Sequence, residues 1–207
     1  MLITSLLRIW LTRSFQPFVF KNTSGNYLDY ADEPEMGLYV HIPFCRSLCS
    51  FCPYCKVVYH RETAEKYKLA LLKEIEIAGS RLKTKKKVTS LYIGGGTPAL
   101  MLDHLKDIID CLKKYFIIQQ GIGMELHPDD INPEALVQIK RAGVTMVSIG
   151  IQSFHQESIS VLGRKNTDFA ARLRLVQKVD FDVVDVDLIF ALPGQTEDIL
   201  LQDMEEA

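Results

Sequence analysis

The sequence predicts an α/β protein: a parallel sheet or partial (β/α) barrel made of repeated strand-helix units. Three observations lead there. From Gly37 onward, β-rich and helical stretches alternate five times, the pattern of right-handed βαβ units. The length of 207 residues holds one α/β domain with a sizeable core and lies near the low end of what a barrel needs, about 200 to 250 residues. Polar and ligand-type residues also gather just after the strand-like runs, where folds of this class keep their chemistry.

In chain order, the first twenty residues are rich in Leu, Ile and Phe, but Arg8 and Arg13 interrupt them, so no apolar run of ~18 residues is available for a membrane span. Leu2, Leu6, Ile9 and Trp10 recur at helical spacing before Pro17, which reads as an amphipathic segment docking on the domain. No acidic residue precedes Asp29, so a targeting-peptide reading stands beside it. Residues 21 to 36 are polar and carry Gly25 and Pro34, as a connector does. The expected division is therefore an N-terminal segment and connector over 1–36 and a core over 37–207.

Strands are expected at Leu38 to Ile42, Val88 to Ile93, Gly123 to Leu126, Val144 to Ile151 and Val183 to Leu192. Helices are expected from about Glu62 to Leu82, over Leu102 to Tyr115, after the cap and first-turn pair Asn132-Pro133, and near Phe169 to Val179 and Asp198 to Glu206. The run Lys83 to Lys87 reads as a solvated helix end. With 24 basic and 26 acidic residues, a formal charge of −2 and 47% hydrophobic residues, the composition is that of an ordinary soluble globular protein and gives no basic surface for nucleic acid. A cytoplasmic location fits.

The strand ends are more specific. After the first strand comes Cys45-x3-Cys49-x2-Cys52, with Cys55 close behind; after the second, Gly94-Gly95-Gly96-Thr97-Pro98. The third carries Glu125, the fourth ends in Gln152, and the fifth holds Asp185 and Asp187. Singly, such features are turns, caps or satisfied hydrogen bonders; together on one rim they are harder to attribute to packing. The five cysteines are too few for a disulfide scaffold, and four of them lie between Cys45 and Cys55, which favours joint metal ligation. Thiolates select iron-sulfur clusters, zinc or copper. Four of them can close a structural zinc site, and Cys52-Pro53-Tyr54-Cys55 also reads as a redox dithiol. Cys111, in a helical apolar pattern with Ile108 and Leu112, is expected in the core.

The spacing Cys-x3-Cys-x2-Cys, with Phe51 just before its last cysteine, resembles the signature of the radical S-adenosylmethionine enzymes. So do further segments. Tyr39-Val40-His41-Ile42-Pro43-Phe44-Cys45, Gly94 to Pro98, Ser148 to Phe154, Leu162-Gly163-Arg164 and Asp187 to Thr196 together resemble the oxygen-independent coproporphyrinogen III oxidases and their heme-chaperone relatives. The resemblance implies a [4Fe-4S] cluster on Cys45, Cys49 and Cys52. It implies S-adenosylmethionine contacts from Tyr39, Phe51, Gly95, Gly96, Thr97, Glu125, Gln152, Arg164 and Asp187, with the glycine-turn amides approaching a carboxylate. It implies a porphyrin or heme-type macrocycle as substrate and an electron donor such as flavodoxin or ferredoxin.

Two departures qualify this. In the oxidases a fourth cysteine follows the third after one residue, whereas Cys55 follows after two. The stretch Gln152-Ser153-Phe154 with Leu162-Gly163-Arg164 is more similar to the heme chaperones and to tetrapyrrole-related methyltransferases, which makes those the alternative activities. The family's barrel has six strand-helix units and a further helical domain, so this chain is expected to be a partial barrel ending after about five units. A fragment of a longer product, or a chain needing a partner at its open edge, would have that form.

Overall fold

A computed structural model describes residues 30, 32–49, 51–164 and 167–207. The expected N-terminal amphipathic segment, and most of the expected connector, lie outside the described residues. The sheet and its helices belong to the unit Glu33–Ala207.

The elements run β1 (Leu38–Ile42), β2 (Phe44–Cys45), β3 (Val57–Val58), α1 (Arg61–Gly79), β4 (Lys86–Val88), β5 (Leu91–Gly95), α2 (Leu102–Tyr115), β6 (Phe116–Ile118), β7 (Ile122–Leu126), α3 (Pro133–Arg141), β8 (Met146–Gln152), α4 (Gln156–Val161), α5 (Phe169–Val176), β9 (Val183–Leu188) and α6 (Glu197–Glu206), with 3-10 turns at Pro98–Met101 and Pro128–Asp130. Five strands pair in the order β1-β5-β7-β8-β9, every pair parallel. These are the five strands expected from sequence, laid side by side in chain order, which is how a barrel wall grows.

Side chains alternate across a strand, and here the alternation separates chemistry from core. Val40, Ile42, Leu91, Ile93, Met124, Leu126, Val147, Ile149 and Ile151 are 0–5% exposed. They form the core together with Leu71 and Ile75 of α1, Ile108, Ile109 and Leu112 of α2, and Leu136 and Ile139 of α3. Each such burial contributes roughly 1.5–3 kcal/mol. Opposite parity places Tyr39 and His41, Tyr92 and Gly94, Gly123 and Glu125, Ser148, Gly150 and Gln152, and Asp185 and Asp187 on the other face. The register His41↔Gly94, Glu125↔Ser148 and Ser148↔Asp185 brings them into layers.

Several boundaries differ from expectation for physical reasons. The second strand begins at Leu91 and runs to Gly95, while Lys86–Val88 forms a separate short ladder with Phe116–Ile118. Part of the lysine run is therefore strand, because α1 ends at Gly79, short of the expected Leu82. Asn132 caps α3 as expected, its side chain accepting from Ala135 N at 2.9 Å. The fifth strand ends at Leu188, four residues before the expected Leu192.

Candidate functional site

The cysteine loop is closed at its base. Phe44–Cys45 pairs in parallel with Val57–Val58, extended by Val57 N–H to Pro43 O at 2.8 Å and Tyr59 N–H to Cys45 O at 2.9 Å. Phe44, 1% exposed, anchors this base edge-on to Tyr59 and Tyr67. The loop between carries Cys49 and Cys52, both half-buried like Cys45, while Cys55 is exposed. Lys56 Nζ donates to Cys52 O, and Arg46 pairs with the buried Asp130 of the Pro128–Asp130 turn, tying the loop to the end of β7.

The glycine turn packs directly against this loop. Gly96 N–H donates to Ile42 O at 2.7 Å and Thr97 N–H to Phe44 O at 2.7 Å, while Gly95 N–H donates to Glu125 Oε2 at 2.8 Å. A Cβ on Gly96 would lie 2.5 Å from Phe44 O and 2.9 Å from Cys45 Sγ, and one on Gly94 would lie 2.6 Å from Glu125 Oε1. Close approach thus excludes side chains here. Contrary to expectation, the amides of Gly95, Gly96 and Thr97 are engaged inside the protein and do not stand ready for a carboxylate.

At the end of β8, Gln152 adopts φ 78°, a left-handed conformation costing roughly 1–2 kcal/mol in a non-glycine residue. A Cβ on Gly150 would lie 2.8 Å from Gln152 Nε2, so the amide folds back over the bare Gly150 backbone. Arg164 arrives from the C-terminus of α4. Gly163 (φ 69°) and a pair of bonds, Gly163 N–H to Ser160 O and Arg164 N–H to Ile159 O, form a Schellman turn that reverses the chain. Its guanidinium donates to Gly150 O and lies 5.5 Å from the Phe51 ring centroid. Asp187 Oδ1 accepts from Ser148 Oγ at 3.1 Å.

These groups enclose a cavity of about 600 Å3 lined by Cys45, Cys49, Phe51, Cys52, Gly95, Gly96, Thr97, Glu125, Gln152, Arg164 and Asp187, a volume typical of small-molecule sites. Of the site residues expected from sequence, Tyr39 alone does not line it. It is 57% exposed and stacks at 6.4 Å on Tyr92, which does line the cavity. His41 Nε2–H donates to Cys55 O at 2.9 Å, leaving Nδ1 to accept the Tyr39 hydroxyl at 3.2 Å.

Sequence reasoning missed Arg46, Lys56, Tyr92, His127, Asp130 and Ser148 as lining residues. Strand parity would have found Tyr92 and Ser148, which lie two residues from Gly94 and Gly150. Nothing local in the sequence marks Arg46 or Asp130 as partners 84 residues apart.

Burial pushes the Glu125 carboxyl above its ordinary value, the Gly95 N–H opposes this, and Asp187 adds to it. Burial likewise raises the Cys45 thiol, against the pull of the Thr97 hydroxyl. Burial and then Arg164 hold His127 below the usual histidine range. Among the described residues, Asp130 Oδ2 and Arg164 Nε are buried without a partner. No three His, Cys, Asp or Glu side chains among the described residues converge on a point for a single metal ion. A four-iron cluster takes each thiolate on a different iron and so asks for a wider triangle than one ion does. The cavity wall also mixes carboxylates with the cations Arg46, Lys56 and Arg164, the lining a zwitterionic small molecule needs.

A parallel half-barrel with thiols, a glycine turn and paired charges on one rim defines a class of α/β protein that holds its ligand at the strand C-termini. The chain belongs to the radical SAM superfamily, whose sequence profile matches residues 39–207. It is 32% identical over 165 residues to the heme chaperone HemW of Bacillus subtilis (strain 168), covering 76% of this chain and 43% of that protein. Against the oxygen-independent coproporphyrinogen III oxidase of Escherichia coli (strain K12) it is 32% identical over 173 residues, 81% of this chain and 37% of that one. Coproporphyrinogen III oxidase (HemN) from Escherichia coli, a radical SAM enzyme of solved structure, superposes with a TM-score of 0.72 at 28% identity over 83% of this chain and 41% of the other. The chain spans less than half the length of these relatives. Among the described residues no helix is long and apolar enough to cross a membrane.

Proposed function

We propose that Cys45, Cys49 and Cys52 hold a [4Fe-4S] cluster and that the adjoining rim binds S-adenosylmethionine, in a cytoplasmic protein of the coproporphyrinogen oxidase and heme-chaperone branch. One observation carries the reading: the three thiols line the same cavity as Gly95, Gly96, Thr97, Glu125, Gln152, Arg164 and Asp187. When bound and reduced, such a cluster supplies one electron to split S-adenosylmethionine into methionine and a 5′-deoxyadenosyl radical that abstracts a hydrogen atom.

The protein's own part is holding and orienting. The ladder of β2 with β3 fixes the loop that presents the thiols, and the bare turn at Gly95-Gly96 meets the methionine end through its carbonyls and its Cβ-free surface. Glu125 and Asp187 offer acceptors for an ammonium and for ribose hydroxyls, and Arg164 a fork for the carboxylate. Phe51 supplies a backbone contact to the adenine, and Gln152 closes the wall. Tyr39 acts against the cofactor through Tyr92, on which it stacks. An electron donor such as flavodoxin or ferredoxin delivers the electron, and a porphyrin or heme-type macrocycle is the substrate or cargo.

Anaerobically reconstituted protein is expected to carry about four irons and, once reduced, to release 5′-deoxyadenosine from S-adenosylmethionine, with the triple Cys→Ala variant losing both. Zinc in place of iron, or no cleavage by the iron-loaded protein, contradicts the reading. Identity of 32% both to HemW of Bacillus subtilis and to the oxidase of Escherichia coli supports two activities. Decarboxylation of coproporphyrinogen III marks the oxidase; stoichiometric heme binding without porphyrinogen turnover marks the chaperone. A tetrapyrrole-related methyl transfer is the third outcome, read as a methylated product.

A further inference from the structure

We propose that Asp203 is a positioning residue for the cofactor site, fixing from α6 the backbone turn that aims Gln152; the inference rests on the reading of that site given above. Asp203 is 2% exposed, and it is the buried residue of α6, whose Leu201 and Met204 are 50% and 61% exposed. Ile199 and Leu200 are half-buried, so the one fully buried anchor of the helix is a carboxylate where an apolar side chain is ordinarily found.

Both carboxylate oxygens are engaged. Oδ2 accepts from Ser153 Oγ at 2.7 Å and Oδ1 from Phe154 N–H at 2.6 Å. Ser153 is wholly buried and its hydroxyl also accepts from His155 N–H at 3.0 Å. The three residues held this way follow Gln152 directly. Gln152 itself sits at a register irregularity between β8 and β9 and in the left-handed region, with its carbonyl accepting from Ile189 N–H at 2.8 Å. In the extended region that a non-glycine residue prefers, its side chain would leave the surface over Gly150. Nothing in Gln152 favours the observed conformation; the bonds on either side of it do, and those to Asp203 are charge-assisted and buried. Asp203 is not among the cavity-lining residues, so its effect on a ligand passes through Gln152.

The test compares reconstituted wild type, D203N and D203A by iron content, circular dichroism, S-adenosylmethionine Kd and amide hydrogen exchange over 152–155. Asn keeps an acceptor for Phe154 N–H and can donate to Ser153 Oγ, so it is the conservative rescue. D203A is expected to retain iron and fold, to exchange faster at Phe154 and His155, and to bind S-adenosylmethionine about tenfold more weakly, with D203N in between. If D203A does not fold, D203N and S153A carry the comparison, with a Kd raised about threefold as the supporting result. Folded variants with a Kd within about twofold of wild type overturn the proposal, as does unchanged exchange at 153–155. Wild type that binds no S-adenosylmethionine counts against the proposed function, and the exchange measurement still decides whether Asp203 holds the turn.

Discussion

Glu125 faces opposing demands. Its half-buried carboxyl is raised by burial, yet one oxygen holds the Gly95 amide in place. A carboxyl raised in the folded state binds its proton more tightly there than in the unfolded chain. Its contribution therefore favours folding at low pH and is lost as pH rises through the folded value. E125Q removes that dependence. Its Tm is expected to exceed that of wild type at about pH 8, with the gap closing as pH falls toward ~4, while S-adenosylmethionine affinity drops about tenfold or more. Thermal melts across pH with binding titrations check both signs. Gly96 supplies a second residue-scale prediction. In G96A the new methyl meets Phe44 O and Cys45 Sγ, so a loss of roughly 1–3 kcal/mol in stability and reduced iron loading are expected, read by denaturant melts and iron assay. At this scale the sequence was legible wherever a residue type has few other uses. Three spaced cysteines, two residues of a triple glycine and a strand-end Glu all fell on one cavity. Ser148 and Tyr92 were less legible because serine and tyrosine are ordinary strand residues, and only their parity with Gly150 and Gly94 marks them. The role of the glycine-turn amides was misjudged because hydrogen bonds to Ile42 and Phe44, about 50 residues earlier in the chain, have no local signature.

Among the elements, long amphipathic helices and apolar strands were read from pattern, with α2 matching residue for residue. Helix α4 was not: Gln156–Val161 is six residues long and mostly polar, too short for a helical period to show. Yet α4 and its Schellman turn are what bring Arg164 to the rim, so the Leu162-Gly163-Arg164 segment was recognised without the element that explains it. The two short ladders were missed for a similar reason, since strands of two or three residues carry no alternation. The Asn132 cap was legible, whereas the caps that Asp168 and Thr196 supply to α5 and α6 were not, and Asn132 gives a control that separates stability from function. N132A removes the side-chain acceptor for Ala135 N–H on α3 and a 3.3 Å bond from Asn132 Nδ2 to the Asp130 carbonyl, while leaving the Asp130 carboxylate that holds Arg46 in place. It is expected to cost about 1 kcal/mol, lowering Tm by about 2–4 °C, with iron content and S-adenosylmethionine affinity unchanged. A matching loss of affinity would show that the rim depends on α3 more than the packing implies.

Across the whole molecule, one periodicity organises both stability and chemistry. The first four strands of the sheet send their apolar residues to the core and their polar residues to the opposite face, and four sequential parallel pairings align those polar residues, with Asp185 and Asp187 of β9, into one rim. The two terminal strands of the sheet differ. β1 contributes buried Val40 and Ile42, whereas β9 leaves Val183 and Val184 39% and 40% exposed, and Phe190 just beyond is 74% exposed. Fold class was readable from the succession of strands and helices together with the chain length and the residues after each strand, while the register that makes a site out of five strand ends was visible only in three dimensions. The central claim is that thiols and rim form a single cofactor site, and electron paramagnetic resonance of the reduced, reconstituted protein tests it most directly. The spectrum of the reduced cluster should change on adding S-adenosylmethionine and should no longer respond in an R164A/D187A variant that keeps its iron. A cluster spectrum indifferent to S-adenosylmethionine in the wild-type protein would contradict it.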